Sequence, residues 1–299
     1  MWDKLIVFLK SLFVGKNSIR SIWKIIYVAI GYISFVFTCS VLVKNLTGCN
    51  KLETMCQCYW GALVGASFLL SLVHNHERTV YKRKMKDSDL QIEIRVSDIF
   101  SVNATSYVIP TNSYFRTIME GDYVSPESVQ GAFQLKYFKD NLQELDNLIQ
   151  KNLMQQKIEG QKCVDIHGDV MKYPLGTVAK VDYNSKHYYF VAINDVNMYG
   201  KPENQGYANI DIAFKGLLDT IKLLGHCDDL AMPLIGTGRA AIRPATIERV
   251  IEDTINYFEN SEDKIARKLT ICIRPKDYLE GRADMKKIMK YLDYKSEFN

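Results

Sequence analysis

The stretch Ala231-Met232-Pro233-Leu234-Ile235-Gly236-Thr237-Gly238-Arg239-Ala240-Ala241 decides how the rest of the chain is read. Its apolar start predicts a buried strand ending at Ile235, its middle predicts a small-residue turn, and a helix is expected from near Pro244. Strand, glycine turn and helix make the arrangement in which backbone N–H groups and a helix N-terminus hold a phosphate. Glycine serves there because it allows close approach of the backbone and positive φ. A tight turn without a ligand accounts for the same residues equally well, and Gly-x-Gly alone does not separate the two.

Charge is unevenly spread. Residues 1–87 hold 12 of the 38 Lys/Arg and 4 of the 34 Asp/Glu, leaving 26 and 30 for the other 212 residues. The basic excess therefore belongs to the N-terminal part. That argues against a nucleic-acid partner for the C-terminal region, which would carry the positive charge itself, and suits a flank beside anionic lipid headgroups. Seven cysteines show no zinc-type double pair. Cys163, Cys227 and Cys272 read as buried reduced thiols. Cys49, Cys56 and Cys58 could pair only if their segment faces an oxidising compartment.

Within residues 1–20, Leu5, Ile6, Leu9, Leu12 and Phe13 form one apolar stripe between lysines, which predicts an interfacial amphipathic helix. Residues 25–43 carry no charge and reach the length that crosses a bilayer, with Trp23 and Lys24 as interfacial anchors. Residues 55–73 predict a second span, so residues 21–76 are expected as a two-helix transmembrane hairpin. Gly61-x-x-x-Gly65 hints at close helix packing within the hairpin or self-association. Lysines and arginines flank both outer ends, which places both ends in the cytoplasm and the 44–58 loop outside. His74-x-His76 reads as part of a solvated basic flank rather than a metal site, and residues 77–88 read as a basic linker.

The region 89–299 alternates strands with helices. Strands are expected at 91–96, 106–110, 178–181, 188–193 and 268–273, and helices at 135–156, 210–224, from Pro244 onward, and at 284–292. This is an α/β domain with helices on both sheet faces. Asp98 and Asn112 each fall just past a strand end, where ligands of open α/β sheets sit, although both residue types also cap turns. A Rossmann fingerprint would follow the first strand, whereas this turn follows a late one and carries Ala241 at the third glycine position. No Gly-Lys-Ser/Thr follows, which excludes a P-loop.

Ser97-Asp98-Ile99 resembles the macro-domain Gly-Asp-Ile, and Pro110-Thr111-Asn112 resembles its Ala-Ala-Asn. Ser128-Val129-Gln130-Gly131-Ala132-Phe133 is placed like the first phosphate loop of that fold, and Ile235-Gly236-Thr237-Gly238-Arg239 like the second. The resemblance implies a three-layer α/β/α domain with a mixed sheet. It also implies an ADP-ribose-type site formed by Asp98, Ile99, Asn112, Gly131, Ala132, Gly236, Thr237, Gly238 and Arg239. Two spans followed by Tyr173-Pro174-Leu175-Gly176-Thr177 and the opening stretch resemble the transmembrane–macro effectors of type II Thoeris anti-phage systems. In that family a TIR-domain partner makes a histidine–ADP-ribose signal from NAD, the macro domain senses it, and the membrane region damages the bacterial inner membrane.

The resemblance thus implies a multi-pass, self-associating effector with its macro domain in the cytoplasm, without metal or catalytic residues. The glycine tract of macro-domain hydrolases is reduced here to Val129-Gln130-Gly131-Ala132 and carries no paired carboxylates, which favours binding over turnover. A membrane-tethered ADP-ribosyl hydrolase and a passive anchor for ADP-ribosylated proteins are the competing readings.

Overall fold

The structure is a computed structural model. It describes residues 18–75, 78–86, 88–119, 123–197, 199, 201–203, 206–225, 227–237, 246–261 and 264–298. The apolar stripe expected within residues 1–20, Leu5 to Phe13, lies outside that set. The chain divides into a helical unit, mainly residues 1–79, and an α/β unit that takes in nearly all the rest.

In the helical unit α1 (Ser18–Thr47) is followed by α2 (Lys51–Cys58) and α3 (Trp60–His74). Residues 22–47 of α1 are long and apolar enough to cross a bilayer. The expected second span is interrupted: α2 and α3 meet at Tyr59 with a bend of 80°. Lys51, Glu53 and Gln57 make α2 polar, and it buries no residue. The 15 residues of α3 reach only about 22 Å, short of the roughly 30 Å hydrocarbon core. Only the bent pair taken together passes as a span.

α1 packs on α3 through small side chains. Ser71 is fully buried and its Oγ donates to the Ile25 carbonyl at 2.5 Å, while the Tyr32 hydroxyl meets His74 Nδ1 at 3.1 Å. Gly61 and Gly65 face open space. The α1–α3 contact therefore runs through Ser71 and not through the glycine pair. No cluster of metal-ligating side chains occurs among the described residues. All seven cysteines are free; Cys227 and Cys272 are buried and Cys163 is half-buried.

The α/β unit is built on an eight-stranded sheet. Its strands are β1 (Val80–Lys84), β2 (Gln91–Val96), β3 (Ser106–Asn112), β6 (Val178–Tyr183), β7 (Lys186–Val196), β8 (Pro202–Glu203), β9 (Cys227–Pro233) and β10 (Ala266–Ile273). A separate hairpin is formed by β4 (Gln161–Asp165) and β5 (Gly168–Lys172). Along the sheet the order is β1-β2-β10-β9-β3-β7-β6, with β8 on β7. The five strands from β2 to β7 run parallel and the rest antiparallel, so the sheet is mixed.

Alternation along the strands sends two sets of side chains to two helical layers. Tyr107, Ile109, Tyr188, Phe190 and Ala192 meet α4 (Val129–Tyr137) and α5 (Leu142–Gln155) through Phe133, Leu145, Ile149 and Leu153. At the centre of this layer the register partners Tyr107 and Tyr188 stack at 5.3 Å, with Phe133 tilted 4.6 Å from Tyr188. The alternate residues Val108, Tyr189, Val191, Leu230 and Met232 are equally buried. That face is covered by α6 (Ala208–Leu224), α7 (Ile247–Glu259) and α9 (Met285–Phe298). A short helix, α8 (Pro275–Leu279), follows β10.

Three expectations change. The single helix expected at 135–156 is two, because Asn141 caps the second: its Oδ1 accepts from the Glu144 N–H at 3.2 Å and its Nδ2 reaches Glu144 Oε2 at 3.3 Å. The cap satisfies the Glu144 N–H, which a continuous helix would have paired internally. The β4–β5 hairpin was not anticipated; Gly168 supplies its turn at φ +99°. The basic stretch 77–88 is more than a linker, since it contributes β1, the edge strand paired with β2.

Tyr81 and Met85 are buried, and the Tyr81 hydroxyl and Arg83 Nε both donate to Asp293 Oδ1, at 2.5 and 2.7 Å. A fragment starting at residue 88 is therefore expected to be less stable than one starting at residue 78. The loss should be about 4 kcal/mol, or roughly 10 °C in thermal midpoint for a domain of this size, read by calorimetric melting.

β2 shows how a polar residue can belong inside a sheet. Ile92, Ile94 and Val96 point to the apolar layer, while Glu93 is held between Arg95 and Lys268, at 2.5 and 3.1 Å. Burial alone would raise the Glu93 carboxyl; the two cations outweigh it and hold the group below its usual range. A depressed folded value stabilises the protein above the unfolded value near 4.5, and that stability is lost as pH falls through the folded value. Glu93→Gln is expected to cost about 3 kcal/mol at neutral pH, with the difference from wild type shrinking below pH 4.5. Urea titrations at pH 7 and in acid check this.

Candidate functional site

The parallel strands β2, β10, β9, β3 and β7 end on one edge of the sheet, and a cavity of about 480 Å³ opens there. Crevices beyond the carboxyl ends of parallel strands are where open α/β sheets take ligands. One wall comes from β3 and β7. Their pairing shifts register so that Thr111 faces Ala192 while Asn112 faces Asn194. The extra residue, Ile193, lines the cavity. Such a bulge re-aims side chains at the end of a strand.

Asn112 is 5% exposed and lines this wall. Its Oδ1 accepts from the Tyr114 N–H at 3.0 Å. The Asx turn anticipated for an asparagine here is thus real, and it fixes which end of the amide remains for a ligand. Nδ2 takes no protein partner among the described residues.

The second wall follows β9. Leu234, Gly236 and Thr237 line it, Gly236 adopts φ +82°, and the Thr237 hydroxyl donates to the Leu234 carbonyl at 3.1 Å. The turn expected between strand and helix is therefore present, with glycine in the region that other residues avoid. Gly238 and Arg239, predicted with it, lie outside the described residues, as does Pro244; α7 begins at Ile247.

The third wall, residues 123–130, leads into α4. Ser128 caps the helix by accepting from the Gly131 N–H at 2.9 Å, and Gln130 receives the Thr111 hydroxyl at 2.9 Å and donates to the Arg116 carbonyl at 2.9 Å. Gly131 itself does not line the cavity. A Cβ there would stand 2.1 Å from the Ser125 carbonyl oxygen, so this glycine lets the helix press against the loop that forms the wall. Ala132 packs against the core instead.

Asp98 and Ile99 are also outside the lining. Asp98 is exposed and its Oδ1 accepts from the Phe100 N–H at 2.8 Å, capping a 3₁₀ turn in which Ile99 is buried. Of the described residues predicted for the site, the cavity brings together Asn112, Gly236 and Thr237.

Among the lining residues that were not anticipated are Tyr123, Arg274 and Asp277. Tyr123 is buried, and burial with Asp165 beside it pushes its phenol up to about 12. Arg274 and Asp277 follow β10. The signal for Arg274 was its place immediately past a strand end, the same rule that singled out Asn112. Cys272 also touches the cavity, but burial pushes its thiol up to about 12 and suppresses any thiolate chemistry.

The model of the family "Thoeris protein ThsA, Macro domain" matches residues 92–274, more than half of the chain. The chain belongs to the Thoeris ThsA macro-domain family. The matched range runs from the start of β2 to the residue after β10 and so spans all three cavity walls. Among solved structures, the Oceanobacillus iheyensis macrodomain with ADP is similar at 14% identity and a TM-score of 0.47, over 73% of this chain and 97% of that one. The Trypanosoma brucei macrodomain in complex with ADP-ribose is similar at 10% identity and 0.42, over 67% and 68%. A search of curated proteins gave no match.

Proposed function

We propose that this chain is an anti-phage effector of the Thoeris type, whose macro domain binds an ADP-ribose-derived signal of the histidine–ADP-ribose kind. In this reading a TIR-domain partner makes the signal from NAD. The observation that carries the reading is the cavity at the strand ends, which joins a glycine turn at positive φ, an oriented Asn112 amide and an arginine. Backbone N–H groups of such a turn suit a diphosphate, and Asn112 Nδ2 suits a ribose hydroxyl.

Binding is favoured over turnover by the state of the carboxyl groups on the lining. Asp277 is committed to two arginines, and Glu127 is exposed, so neither forms an acid–base pair with the other at the ribose end. α1 and the bent α2–α3 pair support the other half of the proposal, a multi-pass anchor in the bacterial inner membrane with the macro domain in the cytoplasm. Signal binding then shifts a conformational or oligomeric equilibrium toward a state that disrupts the bilayer, which requires that state to bind the signal more tightly.

Dye-loaded vesicles carrying the full-length protein test this. Leakage should rise on adding the histidine–ADP-ribose conjugate. Equal leakage with and without it would rule out gating, and release of free ADP-ribose from the conjugate would favour the hydrolase reading.

A further inference from the structure

We infer that Arg274 is the cation that receives the ligand's diphosphate, and that Asp277 and Arg282 form the brace that aims it. The inference deepens the reading of the cavity given above and rests on it. Asp277 is 1% exposed, yet it lines the cavity at a point where two arginines converge on it. Arg274 donates to its two oxygens through Nε at 2.8 Å and Nη2 at 3.2 Å, a fork-on-carboxylate pair. Arg282 Nη1 donates to Asp277 Oδ1 at 2.6 Å. One cation would compensate a buried carboxylate. The second leaves the trio with an excess positive charge at the cavity.

The geometry says which arginine carries that charge to a ligand. Arg274 lines the cavity and its side chain is 41% exposed. A guanidinium has five N–H donors, and the bonds to Asp277 use those on one edge. The N–H groups at the Nη1 end take no partner among the described residues and are left for an anion. Arg282 is turned toward protein instead: besides Asp277 it reaches the Thr237 carbonyl through Nη2 at 3.4 Å, and its backbone N–H donates to the Asp277 carbonyl at 2.9 Å.

The brace thus ties the segment after β10 to the Gly236–Thr237 turn and points one arginine into the space between them. An anion held there would meet a fixed guanidinium and the N–H groups of the turn together. The chemistry fits a pyrophosphate-bearing nucleotide better than a neutral nucleoside. Asp277 and Arg282 are positioning residues; Arg274 is the one that touches ligand.

Calorimetry of the full-length protein in detergent, with ADP-ribose and with adenosine as the uncharged probe, tests the assignment. Arg274→Ala is expected to weaken ADP-ribose by about tenfold or more, the scale of a lost charge-assisted hydrogen bond, while adenosine changes by less than about twofold. Arg274→Lys should fall between, because it keeps the charge and loses the fork. Arg282→Ala should cost ADP-ribose about threefold, with Arg282→Lys restoring most of it. Thermal melting identifies any variant that fails to fold, and the lysine variants then carry the comparison.

Unchanged ADP-ribose binding in Arg274→Ala, or equal losses for both ligands, would overturn the inference while leaving the cavity reading in place. Failure of the unaltered protein to bind ADP-ribose at all would overturn the cavity reading and this inference with it.

Discussion

Gly216→Ala is expected to destabilise the α/β unit by about 3–4 kcal/mol, lowering its thermal midpoint by roughly 10 °C. Gly216 lies in the middle of α6, where glycine ordinarily weakens a helix. It is tolerated because a Cβ there would stand 1.9 Å from the Gly176 carbonyl oxygen and 2.7 Å from its carbon. The obstacle is backbone, so no side chain can swing aside. Gly176 cannot retreat either: it sits at φ +80°, its own Cβ position is 2.6 Å from the Ile212 carbonyl oxygen, and its N–H donates to Ala192 at 2.8 Å. The two glycines let α6 lie directly on the turn that precedes β6, and Ala at 216 would push the helix off β7. Gly206→Ala is the control, since its nearest neighbour is 4.0 Å away, and it should stay within about 0.5 kcal/mol of wild type.

Gly236→Val is expected to weaken ADP-ribose binding by about 100-fold or more with the fold retained. A β-branched residue at φ +82° is strained by roughly 1–3 kcal/mol, and the turn relieves that strain by rotating its peptide planes. Each backbone N–H turned away from a phosphate forfeits a charge-assisted hydrogen bond of about 1.5–3 kcal/mol, so two of them account for the stated loss. Because the turn stands at the rim of the sheet, the melting temperature should fall less than in Gly216→Ala. Unchanged affinity in a folded Gly236→Val protein would mean that the turn holds no phosphate.

Much of this was legible because period and punctuation agreed. The alternation of Ile92, Ile94 and Val96 gave β2, and the apolar run to Ile235 followed by Gly236 gave the turn and β9, which ends two residues earlier than expected, at Pro233. Asn141 and Glu144 carried a cap signature three residues apart, but the apolar stripe running through them masked it, and two helices read as one. β1 was hidden by its charge: Lys82, Arg83 and Lys84 make an edge strand look like a linker, since within it only Tyr81 is buried. Tyr59 interrupts the second apolar segment with no proline or charge to announce it.

The site was legible at positions where backbone geometry dictates residue type, as at Gly236. It was not legible where a residue type serves two roles. Gly131 and Asp98 were expected at the site and do not line the cavity: one gives its space to the Ser125 backbone and the other caps a turn. Arg274 carried the same strand-end signal as Asn112, whereas Asp277, three residues further on, becomes informative only once β10 is placed beside β9 in the sheet.

The most direct test of the central claim is titration calorimetry of the full-length protein with ADP-ribose and with its histidine conjugate. The account predicts saturable one-to-one binding of both, weakened for both by about 100-fold or more in Gly236→Val. No saturable heat from either ligand, in protein that melts cooperatively, would contradict it.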